Sequence, residues 1–276
     1  MISVIICSRT VAQAEIVKLN VAETIGEAHE CIILVNSDGA LGIAECYNQG
    51  IELSKYEILC FMHDDVEMRS GNWGEIVVRT FMHNPKLGLL GIAGSKYKPV
   101  CPSSWYCDIS SICCHYLQGF SHKASQDVYY LINPDESTLS QVASIDGCWM
   151  CTRKTIAQEI GFDSTLLKHF HGYDLDFSLA VGACWQIMVT FEILLRHSSE
   201  GKFGPIWFEE ILKVHHKWIH RLPVFVGDVI PRDLAFEEER FFNKFKQQAI
   251  DAGIALEKLV PTCPVFFASR NAELMS

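Results

Sequence analysis

The sequence has no long hydrophobic run, little positive charge and no glycine-rich phosphate loop. Of its 276 residues, 23 are Lys or Arg and 33 are Asp or Glu, so the formal net charge is −10. This deficit of positive charge argues against a nucleic-acid partner, because phosphates require a basic face on the protein. It also disfavours a polybasic membrane dock, although peripheral membrane contact through a local patch stays open.

No apolar stretch approaches the about 18 residues of a membrane span. Residues 1–7 lack the charged leader and cleavage site of a signal peptide, so we expect a cytoplasmic protein. Its twelve cysteines are then expected to be reduced and to pack as small apolar side chains. Cys148 and Cys151 have CxxC spacing, but no second ligand pair stands at zinc-binding spacing, and their apolar flanks favour a buried strand.

Two nucleotide-binding motifs are also missing. No GxGxxG follows the first apolar run, and GxxxxGK[ST] occurs nowhere in the chain, so dinucleotide-binding and P-loop proteins are excluded. Repeats, low-complexity stretches and Gly/Ser linkers are absent as well. We therefore expect one domain, residues 1–220, with a C-terminal helical extension over residues 221–276.

The hydrophobic pattern predicts alternating strands and helices. Three apolar, β-branched runs read as buried strands of the parallel type, at residues 2–7, 31–35 and 57–62. Helical spacing lies between them, at residues 11–25 after a capping Thr10 and at residues 41–53. This order predicts an α/β fold with a doubly wound, mixed but mostly parallel sheet and helices on both faces.

The rest of the chain continues the alternation less regularly. Further helices are predicted at residues 73–84, 153–160, 175–183 and 233–252, and further strands at 87–93, 142–145, 149–152 and 186–191. Residues 95–140 mix prolines, cysteines and aromatic residues and give no clear period.

Polar residues follow the first three predicted strands: Ser8 and Arg9, then residues 36–38, then residues 63–65. Ligands of open α/β sheets bind at the carboxyl ends of the strands, which is where these groups lie. Without a glycine cradle, a bound diphosphate needs another source of charge neutralisation, and a divalent cation on Asp64 and Asp65 supplies it. A solvated turn at the end of the strand is the alternative interpretation of this Asp pair.

Five segments in this order resemble the family 2 glycosyltransferases, enzymes with the GT-A nucleotide-diphospho-sugar fold: ISVIICSR, GIAECYNQGI, EILCFMHDDVE, DGCWMCTRK with GFD, and GYDLDFSL. The resemblance covers roughly residues 2–197, and it is to the branch in which the metal-binding DxD reads H-x-D-V. The resemblance implies a metal-dependent, inverting transfer of a sugar from a nucleoside-diphosphate sugar to an acceptor hydroxyl. It favours UDP as the nucleotide and a glycan or lipid-linked molecule as the acceptor. The process it implies is polysaccharide or glycan assembly. Whether the protein forms a homodimer is left open.

The same resemblance assigns roles to residues. Asp65 becomes a ligand of Mn²⁺ or Mg²⁺, and His197 becomes a second ligand. Asp174 becomes the general base, although Tyr173 stands where the family usually has Glu. The nucleotide is expected at Ser8, Arg9, Asn36, Asn48, His63 and Asp64, and the donor and acceptor sugars at Asp146, Gly147 and Trp218.

Four of these residues also have a structural interpretation. The alternative role of Asp174 is to cap the helix that follows it, and that of the Asn48 amide is to bond backbone. His197 reads equally well as an ordinary hydrogen-bonded side chain, and Trp218 as a packing residue for the C-terminal helix.

Two other functions remain to be weighed. A sugar-nucleotide pyrophosphorylase uses the same crevice, but it needs a glycine-rich, basic loop after the first strand, and residues 8–11 do not form one. A catalytically degenerate module that binds nucleotide sugar or carbohydrate as a scaffold is the second. The departures at His63 and Tyr173 from the commonest family pattern support that interpretation.

Overall fold

Strands and helices alternate along the computed structural model, which describes residues 1–106, 111–120, 126–199, 201, 203–227 and 234–255. The strands are β1 (Ile2–Ser8), β2 (His29–Val35), β3 (Ile58–His63), β4 (Val66–Met68), β5 (Leu87–Gly91), β6 (Ala93–Ser95), β7 (Tyr97–Lys98), β8 (Ile112–Gln118), β9 (Val128–Ile132), β10 (Leu139–Val142), β11 (Ser144–Ile145), β12 (Trp149–Arg153), β13 (Gln186–Thr190), β14 (Leu195–His197) and β15 (Val224–Phe225). The helices are α1 (Val11–Thr24), α2 (Ile43–Leu53), α3 (Trp73–His83), α4 (Lys154–Ile160), α5 (Tyr173–Val181), α6 (Pro205–Trp218) and α7 (Leu234–Asp251).

Seven strands form the central sheet, in the order β10-β13-β5-β12-β3-β1-β2. Strand β1 pairs in parallel with β2 and β3, and β13 pairs in parallel with β5. Strand β12 is antiparallel to both of its neighbours, and β10 is antiparallel to β13. Five of the seven strands therefore run in one direction, which confirms the mixed, mostly parallel sheet predicted from the sequence.

Both faces of this sheet are buried. Along β1, Val4 and Ile6 point into one apolar cluster and Ile5 points into the other, because successive side chains of a strand alternate between faces. Helices α1 and α3 contribute to the first cluster, and α2, α4, α5, α6 and α7 contribute to the second. The unbroken apolar runs in the sequence follow from this double burial.

A second, six-stranded sheet lies where the sequence pattern was irregular. Its order is β11-β6-β8-β14-β4, with β9 paired to β8. The strand predicted at residues 87–93 is wrong as a single element, because β5 ends at Gly91 and β6 joins the second sheet. Gly94 in β6 allows the close approach of β11, since a Cβ at Gly94 would lie 2.5 Å from the carbonyl oxygen of Ser144.

The predicted helices are present, with their ends shifted by up to two residues. Helix α1 starts after Thr10, whose hydroxyl accepts the Gln13 N–H, as predicted. Helix α5 begins at Tyr173 rather than at residue 175, so Tyr173 and Asp174 occupy its first turn. Helix α6 was not predicted at all. None of the helices in the described ranges is both long and apolar enough to pass through a membrane.

Helix α7 packs into the same apolar cluster as the central sheet, through Phe241, Phe245 and Ala249. The buried Glu238 carboxylate accepts hydrogen bonds from the Tyr97 hydroxyl and from the backbone N–H groups of residues 100 and 101. The predicted start of this helix at residue 233, and residues 256–276 of the predicted extension, lie outside the described residues. The described part of the extension is thus joined to the core by apolar packing and by a buried carboxylate.

Candidate active site

A cavity of about 710 Å³ opens at the edge of the central sheet where β3 ends. It lies at the carboxyl ends of the parallel strands, the usual ligand site of such sheets. Half of the residues predicted for the site line it: His63, Asp65, Asp146, Gly147, Asp174 and His197.

His63, Asp65 and His197 form a compact cluster at one side of the cavity. Strand β3 ends at His63, and β4 resumes at Val66, so Asp65 lies in the turn between the two strands. Strand β14 pairs with β4 so that His197 lies opposite Val66. The potential ligand atoms of the three side chains all lie within 4.8 Å of one another.

The cluster leaves two polar atoms unpaired. Among the described residues, Asp65 Oδ1 and His197 Nε2 are buried and have no hydrogen-bond partner, although they lie 3.4 Å apart. His63 Nδ1 lies 3.9 Å from the same Asp65 oxygen. Buried polar atoms normally have partners, so these two atoms, with His63 Nδ1 as a third possible ligand atom, fit a bound divalent cation. One carboxylate and two imidazoles are suitable ligands for a transition metal.

Charge and burial oppose each other within this cluster. Burial acts to lower the pKa of His197, but the contact with Asp65 outweighs it and raises that pKa overall. For Asp65, burial acts to raise the pKa, and the two histidines, His197 first, lower it. Burial lowers the pKa of His63, although the nearby Asp65 charge acts to raise it. Because burial outweighs that charge, the His63 imidazole is neutral near pH 7.

Asp174 faces the same cavity from the first turn of α5. Burial and then the charge of Asp146 raise the pKa of the Asp174 carboxyl to about 7. Its Oδ1 accepts the N–H of Leu175, and the residue that caps α5 is Gly172. The Asp174 carboxylate thus satisfies a backbone N–H in the first turn of α5 and also lines the cavity.

The turn between β11 and β12 lies beside Asp174, since a Cβ on Gly147 would be 2.9 Å from the Asp174 Cβ. Asp146 Oδ1 accepts the N–H of Cys148, which fixes the carboxylate beside the cavity. The Cys148 Sγ, an Asp146 oxygen and a His197 ring nitrogen also lie within 4.8 Å of one another. Burial raises the pKa of the Cys148 thiol well above its usual value, so it is protonated there.

The other residues predicted for the nucleotide do not line this cavity. Ser8 donates to Asp64 Oδ2 over 2.5 Å at the ends of β1 and β3. The Asn36 amide donates to the carbonyl of Leu41 and accepts its N–H, and Asn48 makes the same pair of bonds with Phe162. The guanidinium of Arg9 lies beside Gly39. Their assignment to the nucleotide stays a prediction.

Trp218, predicted to contact a sugar, lies outside the cavity. Its indole N–H donates to Asp176 Oδ1 over 2.7 Å, and the side chains of Lys217 and Arg221 lie over its ring. Asp176 is buried and also pairs with Lys217. The structure therefore places Trp218 in the packing of α6 onto α5, and Trp218 is not among the residues that line the cavity.

The sequence analysis missed the aromatic walls of the cavity. Trp105, Tyr106, Tyr116, Phe170 and Trp207 line it, and three of them come from residues 95–140, where no period was recognised. The runs at residues 112–118 and 128–132, apolar and aromatic and separated by polar residues, were the signal for the hairpin of β8 and β9.

Comparison of the fold defines the class of protein. The crystal structure of GalNAc-T7 with UDP, GalNAc and Mn²⁺ superposes with a TM-score of 0.53 at 12% identity. The match covers 94% of this chain and 56% of that chain, so the protein corresponds to about half of the larger structure. Residues 1–349 of TarS from S. aureus match at 10% identity with a TM-score of 0.49. That match covers 91% of this chain and 72% of the TarS chain. The fold is the GT-A fold of glycosyltransferases.

Sequence comparison identifies the family. The model of a family described as glycosyltransferase-like matches residues 4–192, which is more than half of the chain. The chain therefore belongs to this glycosyltransferase-like family. No curated protein sequence matches the chain. The narrower branch with H-x-D-V stays a prediction.

Proposed function

We propose that the protein transfers a sugar from a nucleoside-diphosphate sugar to an acceptor hydroxyl with inversion, with the help of a divalent metal ion. The observation that carries the proposal is the placement of His63, Asp65 and His197 in one cavity with Asp174. UDP is the favoured nucleotide, since the GalNAc-T7 structure of the same fold holds UDP. The proposed acceptor is a glycan or lipid-linked sugar of polysaccharide or glycan assembly, and the proposed location is the cytoplasm.

His63, Asp65 and His197 would hold the metal ion. A bound cation would offset the negative charge that develops on the departing nucleoside diphosphate. The two imidazoles favour Mn²⁺ over Mg²⁺, because Mg²⁺ prefers oxygen ligands throughout its coordination shell. Donor binding should therefore be measured with Mn²⁺ and with Mg²⁺.

Asp174 would act on the acceptor. Its ionised carboxylate takes the proton of the attacking hydroxyl, the acceptor oxygen forms a bond to the anomeric carbon, and the bond from that carbon to the diphosphate oxygen breaks. A pKa near 7 makes this carboxylate a stronger base than an exposed Asp while leaving much of it ionised at neutral pH. Asp146 and Gly147, beside it, would contact the donor sugar and the acceptor.

The proposed nucleoside site lies over Ser8, Arg9 and Asn36, next to the cavity along the same sheet edge. Arg9→Ala and Asn36→Ala are expected to raise the KM for the donor without lowering kcat at saturation, because neither side chain reaches the reacting atoms. A fall in kcat alone would contradict this placement.

The first experiment asks whether the protein binds a donor. A thermal-shift panel of nucleoside diphosphates and their sugars, with Mn²⁺, Mg²⁺ or EDTA, is expected to give metal-dependent stabilisation by at least one of them. The absence of stabilisation by every nucleotide in both metals would contradict the proposal.

The second experiment tests the base. With the donor found by the panel, Asp174→Asn is expected to lower turnover about 10²- to 10⁴-fold, which is the usual range for a general base, while donor binding is retained. Glu75→Gln on the exposed face of α3 is the matched control and is expected to behave as the wild type. Loss of donor binding in Asp174→Asn would assign the residue a structural role, and unchanged turnover would assign the base elsewhere.

A further inference from the structure

Tyr173 stands at the centre of the site without a role in the function proposed above. It occupies the first turn of α5 and is only 3% exposed. Its hydroxyl lies 2.5 Å from His63 Nε2 and 3.1 Å from the carbonyl oxygen of Gly147. One atom thus contacts both a proposed metal ligand and the turn that carries Asp146.

The two contacts define where the protons are. A carbonyl oxygen only accepts, so the single hydroxyl proton of Tyr173 is donated to Gly147. The hydroxyl then accepts the hydrogen bond from His63, which requires the proton of the imidazole to be on Nε2. A neutral imidazole carries one N–H, so Nδ1 has a free lone pair. That nitrogen faces the Asp65 carboxylate, 3.9 Å away.

The surroundings hold the Tyr173 ring in this orientation. It packs against Tyr47 at 5.6 Å between ring centroids, Phe162 at 6.1 Å and Phe170 at 6.2 Å. Gly147 leaves the space for the hydroxyl, since a Cβ there would lie 2.2 Å from it. An ionised Glu at position 173 would accept from His63 but would have no proton to donate to Gly147.

We infer that Tyr173 is a positioning residue that fixes His63 with Nε2 protonated and Nδ1 turned toward Asp65 and His197, so that His63 acts as the third metal ligand. The inference rests on the metal site of the proposed function. Groups that orient ligating imidazoles typically change metal affinity 10- to 100-fold when they are removed.

The experiment is a Mn²⁺ titration of the full chain, followed by the electron paramagnetic resonance signal of free Mn²⁺. Tyr173→Phe is expected to bind Mn²⁺ about 10- to 100-fold more weakly than the wild type. Tyr129→Phe is the matched control, since it removes another Tyr–His hydrogen bond, the one between Tyr129 and His115 on β9 and β8. Its affinity is expected to equal that of the wild type.

A double-variant cycle separates positioning from a general loss of structure. In a His63→Ala background, Tyr173→Phe is expected to cost no further Mn²⁺ affinity, because its effect passes through His63. An equal loss with and without His63, or wild-type affinity in Tyr173→Phe, would overturn the inference. Circular dichroism of each variant checks that the chain is folded.

A second measurement needs no metal. Long-range ¹⁵N–¹H correlation spectra of the metal-free wild type are expected to show His63 protonated on Nε2, and this preference is expected to be lost in Tyr173→Phe. Protonation on Nδ1 would overturn the inference even if Mn²⁺ binds. Absence of Mn²⁺ binding by the wild type, with the Nε2 pattern present, would instead overturn the metal dependence of the proposed function and with it the ligand role of His63.

Discussion

The carboxylates of Asp146 and Asp174 lie side by side in the cavity wall, and the charge of Asp146 acts on Asp174. Asp146 contributes to the raised pKa of Asp174, after burial. Asp65, in contrast, lies between two imidazoles that lower its pKa. Two aspartates of one site are thus prepared for different tasks, one for taking up a proton and the other for remaining charged. The family resemblance already gave Asp65 and Asp174 different roles, and the structure adds the opposite directions of their pKa shifts.

The raised pKa of Asp174 predicts a stability effect. An unfolded chain ionises this carboxyl near pH 4, and the folded protein does so at about pH 7. The unfolded state therefore binds fewer protons within this window, and stability falls as the pH rises through it. Asp174→Asn removes the titration, so its stability relative to the wild type is expected to grow by about 3 kcal/mol between about pH 4.5 and pH 8.

Urea denaturation in EDTA at the two pH values measures this difference. Asp251→Asn, at an exposed position on α7, is the matched Asp-to-Asn control. An Asp174→Asn protein that gains nothing between the two pH values would mean that the carboxyl of the wild type ionises near its usual pKa.

At the scale of elements, strand pairing assembles the site. The predicted strand ends placed Ser8, His63 and Asp65 at one sheet edge, because parallel strands end together. The approach of His197 to Asp65 needed the pairing of β14 with β4, which joins segments more than 120 residues apart. Strand β14 has only three residues, too few to show a period in the sequence.

The junction between α7 and the segment after β7 gives a second test at this scale. Replacing Glu238 with Ala removes a buried acceptor of three hydrogen bonds. We expect a loss of about 3 kcal/mol in the free energy of unfolding, since each buried polar group left unpaired costs about 1 kcal/mol or more. The exposed Asn243→Ala on the same helix controls for helix propensity and is expected to change stability by less than about 0.5 kcal/mol.

Since the same segment continues to Trp105 and Tyr106 in the cavity wall, Glu238→Ala is also expected to raise the KM for the acceptor. Wild-type stability in urea would show that the carboxylate is not a structural contact.

At the scale of the whole molecule, the described part of α7 shares one apolar cluster with the central sheet. Phe245 is 2% exposed and packs on Trp207 and Phe208 of α6, with ring centroids 6.3 Å and 5.3 Å apart. The predicted boundary at residue 220 therefore falls between two helices that are packed together. The chain is expected to unfold as one cooperative unit through α7.

Phe245→Ala tests this directly. It is expected to lower the stability of the whole protein by about 3 to 5 kcal/mol, the usual cost of emptying a buried phenylalanine site, with a single transition in urea. The control Leu19→Ala removes a 61% exposed side chain from α1 and is expected to cost little. Two separate transitions, with only the first one shifted, would mean that α7 is an independent unit.

The sequence by itself determined the α/β class, the order of the first strands and helices, and the acidic strand end at Asp65. These follow from local patterns, because burial of a strand on both faces and the position where it ends are written in neighbouring residues. Tertiary structure decided the rest. The second sheet, the packing of α7 and the bond between Tyr173 and His63, 110 residues apart, depend on which strands pair and in what register. Such distant contacts leave no local period, so only the folded chain specifies them.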